Sequence, residues 1–197
     1  MDHLRPEPLT AAAFAAFGDV LDAAGPHRLI NDGMCQRHDD LARLDIVDGR
    51  ASVAILSART RQLPYEFSLV ERHPMGSQAF LPLHQQPFLV IVAPDEGGHP
   101  GQPRAFLTNG GQGINFHRGT WHGVLTPLAG PHQPDTALFA AIDRVGPGTN
   151  LEEHRYASAF RVQRDQTAWP PPLQAGRASS VRPGARPSTK PIQPGAK

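Results

Sequence analysis

Short apolar runs separated by turn residues dominate the chain and predict strands rather than helices. The runs cover residues 44–47, 51–56, 78–83, 88–92, 104–108, 114–117 and 137–143. In residues 65–70, Tyr65, Phe67 and Leu69 alternate with Glu66, Ser68 and Val70, which is the period of a half-buried strand. Connections rich in Gly and Pro separate the runs at 94–103, 109–113 and 127–135. Many short strands with turn signals between them predict an all-β sandwich or barrel.

Two local signals add detail to this prediction. Thr10 is a suitable N-cap for a short helix over residues 11–17, and Gly18 is a suitable C′ residue for it. Asp48-Gly49 separates the runs 44–47 and 51–56, which predicts a β-hairpin.

The length of 197 residues allows one ordinary domain, which we place at residues 1–168. Residues 169–197 form a tail rich in Pro and Arg that we expect to be disordered. The tail contains five basic residues and no acid, so the rest of the chain carries 14 basic and 18 acidic residues. Neither nucleic acid nor a membrane is therefore an expected partner.

Cys35 is the single cysteine of the chain, which excludes an internal disulfide and a cysteine-rich zinc site. The N-terminal residues have no apolar signal core. Both observations favour a cytoplasmic protein.

Polar residues continue an apolar face at the end of one predicted strand. Extending the face of Tyr65, Phe67 and Leu69 by its period of two reaches Glu71 and then His73. If this face points into a barrel, a carboxylate and an imidazole enter the interior, where they need partners. The alternative is that the strand ends near Glu71, which would then be exposed.

Two further segments carry polar side chains beside apolar ones. Asn115 and His117 lie two positions apart, so they share one face of a strand whose other face carries Ile114 and Phe116. His122 follows Trp121, and this pair alone is also typical of ordinary core packing.

Two segments resemble the metal motifs of cupin barrels. The first cupin motif has His-x-His, a Glu four or five places on and then a Gly; Glu71, His73, Gln78 and Gln85 occupy these positions. The second is Gly, five residues, Pro-x-Gly, two residues and His, and it corresponds to Gly111 through His122, with His117 in place of the Pro.

The cupin resemblance implies that Glu71, His73, Gln78 and His122 converge inside one barrel. Two imidazoles with one or two oxygen ligands suit a divalent ion such as Ni or Mn. A metal-free polar pocket built from the same residues is the alternative, and no organic cofactor is expected.

Longer segments resemble the ureidoglycolate lyase family in order and spacing. They are 8–22, 30–42, 71–83, 87–94, 104–122 and 137–146, and together they span most of the chain. The resemblance implies a cupin-like β-barrel, usually dimeric, that cleaves (S)-ureidoglycolate to glyoxylate and urea during allantoin and purine breakdown. The chain departs from the family pattern at Asp39-Asp40, Gln85 and Gly123.

Ureidoglycolate carries a hydroxyl, a carboxylate and a urea nitrogen on one carbon, so its cleavage needs a base and a proton donor. We expect Glu71 to accept the proton, and His73 and His122 to hold the hydroxyl and carboxylate directly or through a metal. Further residues are expected to bind the two ends of the substrate: Gln78 and Asn115 the ureido group, and one of Arg37, Arg118 and Arg72 the carboxylate.

Three other functions remain open on sequence alone. They are a hydrolase that releases ammonia from ureidoglycolate, a different metal-dependent cupin enzyme, and a non-catalytic domain that binds a small carboxylic acid. The expected partners are therefore a small-molecule substrate and a second copy of the chain.

Overall fold

The computed structural model describes residues 1–130 and 134–163. Within these ranges the chain forms one short helix, α1 (Ala11–Phe14), and seventeen strands. The strands are β1 (Asp2–Leu4), β2 (Glu7–Pro8), β3 (Gly18–Leu21), β4 (Arg28–Ile30), β5 (Cys35–Arg37), β6 (Arg50–Arg59), β7 (Tyr65–Arg72), β8 (Gln78–Pro82), β9 (Phe88–Ala93), β10 (Asp95–Glu96), β11 (His99–Pro100), β12 (Arg104–Leu107), β13 (Gly113–Phe116), β14 (Trp121–His122), β15 (Thr126–Pro127), β16 (Thr136–Val145) and β17 (Glu152–Val162).

Two large sheets curl around a common core. One sheet has the order β1-β17-β7-β14-β9-β12-β2, with β15 also paired to β9, and the other has the order β3-β13-β8-β16-β6. Two small hairpins, β4-β5 and β10-β11, complete the described topology. The fold is an all-β, cupin-like barrel with a short N-terminal helix, which confirms the predicted fold class.

The central strand β9 shows how the sequence builds two packed layers. All six of its residues are buried, as expected for a continuous apolar run covered on both faces. Phe88, Val90 and Val92 pack in the barrel interior, together with the aromatic side chains of α1 and β13. Leu89, Ile91 and Ala93 pack on the other face in a cluster that includes residues of β17.

The predicted N-terminal helix is present but shorter than expected. The Thr10 side chain accepts a hydrogen bond from the Ala13 N–H at 3.2 Å, which confirms the N-cap. The helix ends at Phe14, and Gly18 is the first residue of β3 rather than a helix C′ residue. A Cβ atom at Gly18 would overlap the carbonyl oxygen of Asn115 on β13, so the glycine permits close strand pairing.

The predicted hairpin at Asp48-Gly49 is wrong. Residues 44–47 form no strand, and β6 pairs along its whole length with β16, far away in sequence. The backbone around Asp48 instead surrounds the buried Arg144, whose guanidinium donates hydrogen bonds to the carbonyls of Val47, Asp48 and Pro147. The turn residues therefore serve a long-range contact rather than a local strand pair.

The remaining predicted strands lie within a few residues of their predicted bounds, but the long strand β17 was missed, as were the short strands β1 to β5, β10, β11, β14 and β15. Charged residues crowd the first half of β17, which hides its strand pattern. The predicted tail, 169–197, lies outside the described residues. Among the described helices, none has the length and apolar character needed to cross a membrane.

Candidate active site

Strand register brings Glu71 and His122 to the barrel interior. Glu71 on β7 lies directly opposite His122 on β14, and His122 lies opposite Val92 on β9. Directly opposed residues in an antiparallel pair point to the same face. Because Val92 belongs to the interior core, the side chains of Glu71 and His122 point inward as well.

The route by which β7 reaches the interior differs from the prediction. Phe67 and Val70 are three positions apart yet pack in the same outer cluster, so the alternation breaks between them. The partner strand β17 shifts its register between Arg155 and Phe160, opposite this break. The prediction of one continuous face from Tyr65 to His73 is therefore wrong, although Glu71 and His73 do lie inside.

Glu71, His73 and His122 form a compact cluster. One potential ligand atom from each lies within 4.8 Å of the others. The rings of His73 and His122 have centroids 5.4 Å apart, and Glu71 Oε1 lies 4.0 Å from His73 Nε2. Phe116 stacks on the His122 ring at a centroid distance of 4.2 Å and an angle of 7°, which holds the imidazole in place.

Backbone carbonyls select the tautomer of both imidazoles. His73 Nδ1 lies 2.6 Å from the carbonyl oxygen of Asn150, and His122 Nδ1 lies 3.0 Å from that of Gly123. A carbonyl oxygen only accepts hydrogen bonds, so Nδ1 carries the proton in each neutral ring. Both Nε2 atoms are buried without a hydrogen-bond partner among the described residues, which leaves their lone pairs available.

Burial also sets the charge of the cluster. Burial raises the pKa of Glu71 above its usual value; His73 opposes this rise, and Glu153 adds to it. Complete burial lowers the pKa of His122 to about 3, so this imidazole is neutral at physiological pH. The cluster thus combines a carboxylate of raised basicity with a neutral imidazole.

Gln78 joins the cluster from the opposite sheet. It lies opposite Phe116 in the β8-β13 pair and shares the interior face of that residue. Its Oε1 atom is buried without a partner among the described residues. Glu71, Gln78 and His122 line a cavity of about 160 Å³ whose other walls are mostly apolar. A wider depression of about 680 Å³ lies elsewhere, and its described lining residues include no imidazole or carboxylate.

The donor atoms of this cavity fit a divalent ion. Two imidazole nitrogens, a carboxylate and an amide oxygen suit a borderline metal. Unpartnered buried atoms on His73, His122 and Gln78 are the observation that supports this fit.

Other predicted substrate-binding residues lie away from the cavity. Asn115 points to the opposite face of β13, where its amide donates hydrogen bonds to Asp19 and to the Arg43 carbonyl. Three arginines pair with acids elsewhere: Arg37 with Asp39, Arg118 with Asp45, and Arg72 with Asp95 and Glu152. The structure therefore does not bring Asn115, Arg37 or Arg118 to the cavity, contrary to the expectation from sequence.

Sequence reasoning missed Asn150, which holds the segment carrying His73. Besides the carbonyl contact to His73, its side-chain Oδ1 accepts a hydrogen bond from the Met75 N–H at 2.8 Å. Residues 73 and 150 are far apart in sequence, and no local pattern signals the contact. Asn150 follows the loop that contains Pro147, whose carbonyl is bound by Arg144.

Comparison with known proteins places this barrel in a family. The sequence model for ureidoglycolate lyase matches residues 1–163. The chain belongs to the ureidoglycolate lyase family. The match includes every residue of the cavity cluster and ends where the described residues end.

Individual members of the ureidoglycolate lyase family are similar to this chain over almost their whole length. The ureidoglycolate lyase of Rhodobacter capsulatus is 55% identical over 156 residues, covering 78% of this chain and 94% of that protein. The ureidoglycolate lyase of a Chelativorans species is 50% identical over 165 residues, covering 82% and 97%. Ureidoglycolate lyase 2 of Rhizobium meliloti is 46% identical over 159 residues, covering 79% and 94%.

Proposed function

We propose that this protein is a ureidoglycolate lyase, a carbon–nitrogen lyase that cleaves (S)-ureidoglycolate to glyoxylate and urea in allantoin and purine catabolism. The observation that carries the proposal is the interior cluster of Glu71, His73 and His122, whose imidazole Nε2 atoms are buried and have no partner among the described residues. Family membership over residues 1–163 supports the substrate class.

The cleavage requires one proton to leave the substrate hydroxyl and one to reach the departing urea nitrogen. As the hydroxyl O–H bond breaks, its oxygen forms the carbonyl of glyoxylate. The carbon–nitrogen bond breaks, and its electron pair goes to the urea nitrogen, which takes up a proton. No nucleophile and no change of oxidation state by an external agent is needed.

In the metal-free form of the proposal, Glu71 accepts the hydroxyl proton and returns it to the urea nitrogen. Its raised pKa suits this exchange, because a base is most effective when its pKa approaches the working pH. The Nε2 atoms of His73 and His122 accept hydrogen bonds from ureido N–H groups and so hold the substrate with its hydroxyl beside the Glu71 carboxylate. The Gln78 amide, whose oxygen is buried and unpartnered, holds the ureido group.

In the metal-bound form, His73, His122, Glu71 and Gln78 would hold a divalent ion such as Ni or Mn. Such an ion would lower the pKa of the substrate hydroxyl and stabilise its negative charge. The imidazoles would be ligands through Nε2, and the carbonyls of Asn150 and Gly123 orient both rings through Nδ1. No organic cofactor is part of either form.

Metal removal distinguishes the two forms. Activity that disappears after chelation and returns with Ni or Mn supports the metal-bound form. Full activity of protein shown by elemental analysis to be metal-free contradicts it and supports the metal-free form.

The wider setting belongs to the same proposal. The protein acts in the cytoplasm as a homodimer, with a domain at residues 1–168 followed by the tail at 169–197. Support comes from the single, unpaired Cys35 and from the resemblance to a family of dimers. Light scattering on the purified full chain measures the oligomeric state, and a monomer at micromolar concentration contradicts the dimer.

Product analysis tests the proposed activity directly. We expect purified protein to convert (S)-ureidoglycolate into equal amounts of glyoxylate and urea. Ammonia formed in place of urea would assign the hydrolase reaction instead. Absence of any product, with and without added Ni or Mn, would leave binding of a small acid without turnover as the function.

A further inference from the structure

The cavity presents no arginine or lysine among its described lining residues, although the proposed substrate carries a carboxylate. Arg37, Arg72 and Arg118, the cations that the sequence suggested, are each paired with an acidic side chain. A carboxylate is bound most strongly by a guanidinium that can form two parallel hydrogen bonds. A cation that binds the substrate carboxylate would therefore lie at the rim of the cavity or be a metal ion.

Strand register places Arg155 on the face that leads to the cavity. In the β17-β7 pair, Glu153 lies opposite Glu71, and Arg155 lies opposite Leu69. Residues two apart on a strand share a face, so Glu153 and Arg155 point to the side of Glu71. The intervening residue, His154, faces the other side, where it contacts Trp121 in a ring–ring pair.

A surface depression that Arg155 lines adjoins the cavity at Val124. Arg155 and Leu69 line an open depression of about 430 Å³, and Val124 lines both this depression and the cavity. Val124 is 40% exposed, so the boundary between the two spaces reaches solvent. Arg155 thus lies in a solvent-exposed depression that shares the Val124 side chain with the cavity lined by Glu71.

The guanidinium of Arg155 is available for a ligand. Its Nη1 donates one hydrogen bond to the Ser68 hydroxyl at 3.2 Å, and it forms no ion pair with a described residue. By contrast, Arg161 on the same strand lies 3.7 Å from the Glu66 carboxylate. Arg155 can therefore bind an external carboxylate without first breaking an internal salt bridge.

We propose that Arg155 binds the carboxylate of the substrate at the rim of the cavity, on the side of Glu71. This inference rests on the proposed function, because it takes ureidoglycolate as the ligand. Glu153, on the same face, repels a carboxylate placed beside it. This repulsion favours binding of the substrate carboxylate at the end of the rim that carries Arg155. The pair orients the anionic end of the substrate.

Kinetics of paired variants test this role. Arg155→Gln should raise the KM for ureidoglycolate by about 10-fold to 100-fold, as expected for loss of charge-assisted hydrogen bonds, with kcat changed less than about threefold. Arg155→Lys keeps the charge without the bidentate geometry and should give an intermediate KM. Arg161→Gln makes the same change in net charge on the same strand, six positions further along, and should leave KM unchanged. Equal KM values for Arg155→Gln and Arg161→Gln would overturn the proposal.

A binding measurement separates this proposal from the proposed activity. Titration calorimetry with glyoxylate, a small carboxylate, requires no turnover. We expect Arg155→Gln to weaken glyoxylate binding by about the factor seen in KM, and wild-type binding to weaken as ionic strength rises. Equal affinity in wild type and Arg155→Gln, or no binding to wild type, overturns the role of Arg155. A wild type that binds glyoxylate through Arg155 but forms no product overturns the lyase activity alone.

Discussion

The support of His73 by Asn150 makes a quantitative prediction. Asn150→Ala removes the acceptor of the half-buried Met75 N–H, a hydrogen bond of 2.8 Å. A lost hydrogen bond of this kind costs about 0.5–1.5 kcal/mol, or up to about 3 kcal/mol when the donor stays buried without a partner. For a chain of this size, each kcal/mol lowers Tm by about 2–4 °C.

We also expect Asn150→Ala to lower kcat/KM, beyond its modest effect on the free energy of unfolding. The Asn150 carbonyl that holds the Nδ1 proton of His73 remains in the variant, but the loop loses its side-chain anchor. Loss of a group that orients a ligand or catalytic imidazole typically costs about 10-fold to 100-fold in activity or metal affinity. We therefore expect kcat/KM to fall by that factor in protein that remains folded at the assay temperature.

The assay combines thermal unfolding, kcat/KM and ¹⁵N NMR of labelled histidine, which reports the tautomer of His73. Asn150→Asp retains an acceptor oxygen and should restore most of the activity. Asn109→Ala is a matched control, since its Oδ1 likewise accepts one loop N–H, from Gly111 at 2.9 Å, away from the cavity. If Asn150→Ala loses stability but keeps full activity and a single His73 tautomer, Asn150 does not position His73.

Three further variants test other parts of the structure. Gly18→Ala should destabilise the protein by about 1–3 kcal/mol, because the new Cβ overlaps the Asn115 carbonyl. The control Gly25→Ala places a Cβ with no neighbour within 4 Å and should leave Tm nearly unchanged. Equal Tm values for the two variants would contradict the close approach of Gly18 to Asn115. Asp19→Asn tests stability in acid. Burial raises the pKa of Asp19, but hydrogen bonds from Asn115, the Arg43 N–H and His117 have the larger combined effect, so the pKa lies below 3.8. The ionised carboxylate therefore stabilises the fold above about pH 4, and this stabilisation is lost as pH falls through the folded-state pKa. The difference in Tm between wild type and Asp19→Asn should become smaller in acid. A difference that becomes larger in acid would show that the pKa of Asp19 is not lowered by folding. Gln78→Leu should lower activity by about tenfold or more if its amide binds the ureido group or a metal, and unchanged kcat and KM would remove Gln78 from the site.

Local signals in the sequence predicted the parts of the fold that depend on neighbouring residues. Thr10 marks the start of α1, and the apolar run at β9 marks a strand buried on both faces. Asp48-Gly49 failed as a hairpin signal, because β6 pairs with β16 and Arg144 binds the Val47 carbonyl, and both contacts join residues far apart in the sequence. Local sequence contains no information about such partners.

The candidate site divides in the same way. The period of a strand pointed to Glu71 and His73, and the cupin resemblance added Gln78 and His122. The structure clusters His73 with Glu71 and His122, and Glu71, Gln78 and His122 line one cavity. Asn115 could be assigned to a face but not to the interior, because the sequence does not show which face of β13 turns inward. The sequence allowed Arg118 as a ligand for the substrate carboxylate, because it does not show that Arg118 pairs with Asp45.

His122 offers the most direct test that the reaction takes place in the interior cluster. It is 2% exposed and stacked on Phe116, and its Nε2 has no partner among the described residues. His117→Asn provides the matched control, because His117 contacts Asp19 on the outer face of β13. The decisive measurement is the rate of glyoxylate and urea formation by wild type, His122→Asn and His117→Asn, each confirmed as folded by circular dichroism. We predict that His122→Asn forms product at least about 100-fold more slowly than wild type. His117→Asn should form product at a rate similar to that of wild type. A His122→Asn variant that is folded and as fast as wild type would contradict the account.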